Sequence, residues 1–184
     1  MSSPFCSASA SPAPSAEIPN RPQHTRFLTR PGAHTLQFAF QQILGDQMFD
    51  YIHESGGDYR SNSLDVDYNQ PHEKSVSLSY SINFKDYGVP GFKVTMWGAY
   101  GWGADGSAMA NSGTANAGSY VVNGQPLHGS HHEFGVIPSY TVPDGKFKNT
   151  SIKFYYMHHQ GSAYYPDGTS DVYRLMVNVP FNVF

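Results

Sequence analysis

The chain has little of three things that most enzymes and secreted domains carry. Charged residues make up 14% of its 184 residues, and Cys6 is its one cysteine. A single cysteine cannot build a disulfide framework, and a formal net charge of −3 gives no basic footprint for nucleic acid. No run approaches the roughly 18 consecutive apolar residues of a transmembrane helix, so strands are the elements that could cross a membrane.

Aromatic side chains and glycine are abundant instead. The chain has 13 Tyr, 12 Phe and 18 Gly. This composition suits an all-β protein with long polar loops, because a helical enzyme would carry more Ala, Leu, Glu and Lys.

The first 33 residues differ from the rest. Residues 2–15 are low-complexity Ser, Pro and Ala, and residues 20–26 are basic and aperiodic. Such a composition buries too little apolar surface to offset chain entropy, so we expect residues 1–33 to be a disordered segment that is not homologous to the folded part. They also lack the charged and apolar regions of a recognisable signal peptide. Residues 34–184 are predicted to be the folded part.

The clearest pattern is the alternation in Ser75–Phe84. Val76, Leu78, Tyr80, Ile82 and Phe84 fall on one side of a strand, and small polar residues fall on the other. A strand over a soluble core usually carries Lys, Glu or Thr on its outer face. Large apolar side chains opposite small polar ones are typical of a transmembrane β-barrel, with lipid outside and water inside.

Five other segments alternate in the same way, which predicts an antiparallel transmembrane β-barrel segment of about six strands. Their connections run long, short, long, short and medium, as in barrels whose short turns are periplasmic and whose long loops are extracellular. The short turns are 85–91 and 142–148; the longer loops are 44–73, with a short possible strand at 63–68, then 102–131 and 160–171. The five segments are 34–41, 92–100, 134–141, 151–157 and 173–183.

Neither a metal centre nor a catalytic set is predicted. His131 and His132 are adjacent in a strand, so they point to opposite faces and cannot chelate together, and the same holds for His158 and His159. The acidic residues between 50 and 67 lack the spacing of a calcium loop. The serines alternate for geometric reasons, so we expect no enzyme activity and no cofactor.

An alternative from another class is a soluble β-sandwich that binds a ligand or carbohydrate. In that fold the apolar faces would pack on each other. Burial of Leu78, Tyr80, Val177 and Val179 in a dry protein core would therefore favour the sandwich over the barrel.

From about Gly32 to Phe184, the chain resembles the C-terminal part of the OprD family of outer-membrane porins. No single motif is specific, but their order and spacing together are. The motifs are Glu73-Lys74-Ser75, Tyr87-Gly88-Val89-Pro90-Gly91, His131-His132-Glu133, and Arg174-Leu175-Met176-Val177 followed by Pro180.

The resemblance implies a barrel of about eighteen strands in the bacterial outer membrane, which passes small carboxylates, amino acids and related solutes. It also implies basic residues along the inner wall. Lys153 and Arg174, and less clearly Lys93, stand in the inward phase of their strands. A plain structural role for them, hydrating or pairing on the wall, is the competing interpretation.

The resemblance also implies partners and a partial barrel. We expect contacts with outer-membrane lipid and lipopolysaccharide, and recognition of the last strand by the barrel assembly machinery through Phe184. Six strands would close to a backbone diameter of about 12 Å, which side chains would fill. We therefore expect a C-terminal fragment of a porin that does not conduct by itself.

Overall fold

A computed structural model describes residues 22–30, 32–49 and 65–180. Its main feature is one antiparallel sheet of seven strands in the order β1-β2-β3-β4-β7-β8-β9. The strands are β1 Pro22–Thr29, β2 His34–Ile43, β3 Lys74–Asn83, β4 Phe92–Asp105, β7 His128–Thr141, β8 Ser151–Gly161 and β9 Ser170–Asn178. A separate two-stranded hairpin is formed by β5 Val121–Val122 and β6 Gln125–Pro126.

The six predicted strands are present in this sheet, and the sheet has one strand more than the sequence predicts. Strand β1 lies within the segment expected to be disordered and pairs with β2 from Pro22↔Ile43 to Thr29↔Leu36. The expectation of disorder differs from the structure at β1 because pairing with β2, rather than an apolar pattern of its own, forms the strand. Residues 1–21 lie outside the described residues.

The stretch 102–131 is also more ordered than the single loop the sequence predicts. Strands β4 and β7 extend into it, and a short helix α1 (Ser107–Ala110), a 3-10 turn (Ala117–Tyr120) and the β5-β6 hairpin fill the rest. In the possible strand 63–68, the described residues 65–68 form no strand.

The two faces of the sheet have the polarity of a membrane barrel. Ser75, Ser77 and Ser81 of β3 are buried, whereas Leu78 between them is 53% exposed. In β9, Val177 is 58% exposed. We call the face with these serines the inner face and the face with Leu78 the outer face.

This polarity decides between the barrel and the sandwich. Among the described residues no second sheet covers the outer face, and Tyr80 and Val179 are not buried in an apolar core either. Exposed apolar side chains opposite buried polar ones are the reverse of a soluble domain and the arrangement expected with lipid outside. The chain is a partial β-barrel.

The connections divide the sheet into two ends. The short connections β1-β2, β3-β4 and β7-β8 leave the sheet at one end, the short-turn end, and the longer connections β2-β3, β4-β7 and β8-β9 leave it at the other, the long-loop end. In the turn 84–91, Gly88 and Gly91 have φ of 85° and 86°, which glycine adopts without strain. A Cβ on Gly91 would collide with the Thr141 carbonyl, so this turn packs directly against the end of β7.

A small buried apolar cluster lies at the long-loop end, and other buried apolar residues, among them Ile43 and Met157, lie outside it. Ala104, Leu127 and Tyr165 are buried together, with Met48 and Val122 packed against them. No helix among the described residues is long and apolar enough to span a membrane. The sheet is therefore stabilised mainly by the hydrogen bonds between its strands and by the contacts that its two faces make.

Candidate functional site

Two of the predicted basic residues lie in one row across the inner face. In the strand register Lys93 of β4 is opposite Ser139 of β7, which is in turn opposite Lys153 of β8. The two lysines are thus two strands apart, or about 10 Å. Asn83 of β3 continues the row beyond Lys93.

The row lies in a polar depression at the short-turn end. The depression has a volume of about 490 Å³, and its lining carries ammonium, hydroxyl and amide groups. Besides the two lysines, the side chains that line it include Asn83, Thr95, Ser139, Thr141, Ile137 and Tyr155. Such a lining can bind an anionic group and also hydrogen-bond a polar solute.

Arg174 shares the inner face but not the depression. It lies on β9 opposite Tyr155, and it is exposed. The structure therefore brings Lys93 and Lys153 together in one depression, whereas Arg174 lies on the edge strand β9, next to β8. The roles of all three in solute binding stay predictions.

A fourth cation on this face was missed by the sequence analysis. Arg26 of β1 is opposite Ala39 of β2, which is opposite Ser77 of β3, so Arg26 stands on the inner face. No signal in residues 22–29 could have shown this, because the strand alternates weakly and its phase is fixed only by its pairing with β2.

A buried polar cluster lies at the long-loop end of the inner face. Glu73, immediately before β3, has its Oε1 2.8 Å from Nε2 of His131, and the Tyr165 hydroxyl lies 3.0 Å from the same nitrogen. Nδ1 of His131 is 3.0 Å from Nε2 of His159, and Nδ1 of His159 donates to the Gly168 carbonyl at 2.7 Å. All four side chains are at most 2% exposed. We call these four residues the Glu73–His131 cluster.

Burial changes the chemistry of the carboxyl in this cluster. Desolvation raises the pKa of Glu73 from its ordinary 4.5 to about 8, against the opposing hydrogen bond from the Gln70 N–H. Glu73 precedes the first residue of β3 and so lies outside the membrane-spanning strand. A carboxyl in this environment holds a proton near neutral pH.

The cluster is not predictable from the sequence, although three of its members, Glu73, His131 and His159, belong to motifs that the sequence shows. Alternation predicts that His131 and His132 point to opposite faces, and the structure confirms this, since His131 is buried and His132 belongs to the outward phase. What alternation does not predict is that β8 brings His159 beside His131. No group of three or more His, Cys, Asp or Glu that could hold a metal ion occurs in the described parts of the chain.

The cluster is covered by residues 65–73, which fold onto the inner face. Gln41 Nε2 of β2 donates to the Tyr68 carbonyl at 2.6 Å, and the Val66 N–H donates to Oε1 of Glu133 at 2.6 Å. The Tyr68 ring lies 4.0 Å from the His131 ring, centroid to centroid. Residues 65–73 therefore occupy space over the inner face at the long-loop end.

Comparison with known proteins agrees with this geometry. The family model for outer membrane porins of the OprD family matches residues 5–183, a span that begins well before Gly32. Porin D of Pseudomonas aeruginosa is 34% identical over 160 residues, which are 82% of this chain and 35% of that protein. This chain thus spans about a third of the length of that relative.

Solved structures give the same result. The crystal structure of the outer membrane protein OprD from Pseudomonas aeruginosa matches with a TM-score of 0.77 at 31% identity, over 91% of this chain and 43% of that one. Pseudomonas aeruginosa OccD3 (OpdP) matches with a TM-score of 0.75 at 34% identity, over 90% of this chain and 40% of that one. The chain is therefore a member of the OprD family of outer-membrane porins and belongs in the bacterial outer membrane.

Proposed function

We propose that these strands form part of the wall of an outer-membrane channel for small solutes, and that Lys93 and Lys153 guide carboxylates and amino acids along its inner face. The observation that carries the proposal is the shared polar depression of the two lysines. Arg174, on the same face, extends the basic surface toward β9.

Exposed lysines in water attract an anion without trapping it. Both lysines are exposed, so their attraction is screened over about 8–10 Å at physiological ionic strength. Conduction needs binding that is strong enough for a solute to enter and weak enough for it to leave. Hydroxyl groups of Ser139 and Tyr155 beside the lysines supply further hydrogen bonds for a solute that moves along the wall.

The seven-stranded sheet can form only part of the wall of such a channel. Among the described residues, β1 and β9 each have one neighbouring strand, so the outer edge of each lacks a partner. An open edge in hydrocarbon leaves backbone N–H and C=O groups without hydrogen bonds, which costs several kcal/mol for each group. The finished barrel therefore needs further strands, and we propose that this chain is the C-terminal fragment of such a porin.

The proposed partners follow from the two faces and the last strand. The outer face contacts membrane lipid, and the exposed segments of the long-loop end lie at the level of lipopolysaccharide. The assembly machinery is proposed to read the end of the chain at Phe184, a residue that lies outside the described residues. The proposed role is passage of solutes, with no chemical step and no cofactor.

Charge reversal tests the proposed role of the lysines. In membranes that contain the assembled porin, Lys93→Glu together with Lys153→Glu should shift the reversal potential in a KCl gradient toward cation selectivity and slow the uptake of acetate. Attraction for anions becomes repulsion at the same two sites.

Lys146→Glu together with Lys148→Glu is the matched control, because it changes the charge by the same amount. Both residues are exposed in the turn between β7 and β8, and neither lines the depression. Equal shifts in the two double variants would show that overall charge, rather than the depression, sets the selectivity.

A further inference from the structure

We propose that Glu73 and His131 share one buried proton that fastens residues 65–73 to the inner face, so that gain or loss of this proton controls whether the segment stays closed over the long-loop end. The ligand of this site is a proton, and the site is distinct from the lysine depression at the other end of the sheet. The inference does not depend on the proposed path of the solute.

The hydrogen bonds fix how many protons the cluster holds. Nδ1 of His159 faces the Gly168 carbonyl at 2.7 Å, so it must carry a hydrogen. In neutral His159, Nε2 then has a lone pair, and Nδ1 of His131 must donate to it across 3.0 Å. Nε2 of His131 is left facing Oε1 of Glu73 at 2.8 Å.

That last contact requires one proton between the two atoms. Either the carboxylic acid donates to a neutral imidazole, or an imidazolium donates to a carboxylate, and the pair carries no net charge in both cases. Without the proton, a carboxylate oxygen and an imidazole lone pair would face each other at 1% exposure or less. The Tyr165 hydroxyl can donate to only one of them, at 3.3 Å to Glu73 or 3.0 Å to His131.

Loss of the proton is relieved when the segment lifts. Glu73 accepts a hydrogen bond from the Gln70 N–H at 3.0 Å, and the tilted ring of Tyr68 packs against the His131 ring, so both members of the pair contact the segment. Lifting residues 65–73 would hydrate the carboxylate and remove the cost of burying an unpaired charge.

Other titratable groups surround the pair. Glu133 accepts the Val66 N–H, and its charge acts on Tyr68, which lies within the segment. Asp167 interacts electrostatically with both members of the pair, and His132 interacts electrostatically with His131. Asp65 acts on His159.

The closed segment is expected to be most stable near pH 6.5. When the segment is open, Glu73 ionises near its ordinary pKa of 4.5, and hydrated His131 and His159 take protons below about pH 6.5. Above about pH 6.5 the open form holds no proton on these groups while the closed form holds one. Closure therefore weakens by up to about tenfold per pH unit until Glu73 deprotonates in the closed form, at a pKa of about 8.

Below about pH 6.5 the sign reverses. The open form then holds two protons, one on each imidazole, while the closed form still holds one. Closure weakens again as the pH falls, so the dependence of closure on pH is bell-shaped.

Hydrogen exchange tests the proposal on the chain in isolated outer membranes, in the barrel into which it assembles. Protection factors of the Val66 and Gln70 amides, corrected for intrinsic exchange, should peak near pH 6.5 and fall by about fourfold by pH 8 and by about eightfold at still higher pH. In Glu73→Gln, the amide N–H replaces the shared proton at every pH. The alkaline fall should then disappear, and the acid fall should remain.

Asp171→Asn is the matched control. Asp171 and His158 form a second carboxylate–histidine pair, at 3.0 Å, but Asp171 lies exposed on the outer face. This variant should keep both falls. A flat profile in the unmodified chain, or an alkaline fall that persists in Glu73→Gln, would overturn the proposal; the first outcome needs no variant to fold.

Discussion

The surroundings of Gly101 show how closely the side chains of the Glu73–His131 cluster are packed. This glycine stands on the inner face of β4, where a Cβ would collide with Oε1 of Glu73 and lie 2.6 Å from Nε2 of His131. Three positions earlier on the same strand, a Cβ on Gly98 would meet only the Glu133 carbonyl, at 3.6 Å. The packing therefore requires glycine at position 101 but not at position 98.

The variant Gly101→Ala should therefore loosen the segment 65–73. The added methyl displaces Glu73 from His131, and overpacking of this kind costs about 1–3 kcal/mol. Protection factors of the Gln70 and Val66 amides should fall by about tenfold, since 1.4 kcal/mol is a factor of ten. Gly98→Ala should leave them unchanged, and a similar fall in both variants would contradict the close packing described here.

The two groups of inner-face residues differ in how far the sequence could predict them. Lys93 and Lys153 lie within strands, so alternation alone gave their phase, and the structure puts them on the face that alternation predicts. Glu73 and His131 are 58 positions apart and meet only through strand register and a folded segment. Hydrophobic periodicity predicts neither the register between distant strands nor the path of that segment, so the cluster is apparent only in the folded chain.

At the scale of elements, strands with a sharp alternation were predictable and β1 was not. Strand β3 runs Lys74–Asn83, within a residue of the alternating stretch Ser75–Phe84. Strand β1 has polar residues in both phases, and Phe27 on the outer face is its main apolar side chain there, at 62% exposure. Its backbone pairing with β2, over eight residue pairs, is what makes it a strand.

Deleting residues 22–30 should therefore impair assembly, even though the sequence alone suggests a dispensable segment. Without β1, one edge of β2 would lose its partner within the membrane, at several kcal/mol for each unsatisfied group. We expect the amount of heat-modifiable, folded barrel in outer membranes to fall to near background on gels run without boiling.

Deletion of residues 2–15 is the control for chain length. This low-complexity stretch is predicted from its composition to be disordered, so its loss should leave assembly unchanged. Normal assembly without residues 22–30 would contradict a structural role for β1.

The long connections were the least predictable elements. The stretch 102–131 reads as an aperiodic polar loop, yet Leu127 within it is fully buried against Ala104 and Tyr165. A few apolar residues scattered over a loop give no period, although they are enough for a small cluster once the strands hold the ends of the loop in place.

At the scale of the whole molecule, the number of strands limits what the chain can do. Seven strands at about 4.8 Å spacing and 40° tilt would close to a backbone diameter of about 14 Å, which inward side chains would fill. A barrel of about eighteen strands would reach roughly 36 Å and leave an aqueous lumen. The sheet here stays open, with β1 and β9 at its edges in the described part of the chain.

The purified chain should therefore fail to conduct when it is added alone to planar lipid bilayers. Open edges in hydrocarbon are too costly for stable insertion, and a closed barrel of seven strands has no lumen. The current trace should show irregular leakage at most, whereas a complete OprD-family porin refolded in the same way should give discrete steps. Reproducible conductance steps from the chain alone would mean that its edge strands pair with other strands, most simply those of other copies of the chain. The proposal that these strands form part of the barrel of a longer porin would then be wrong.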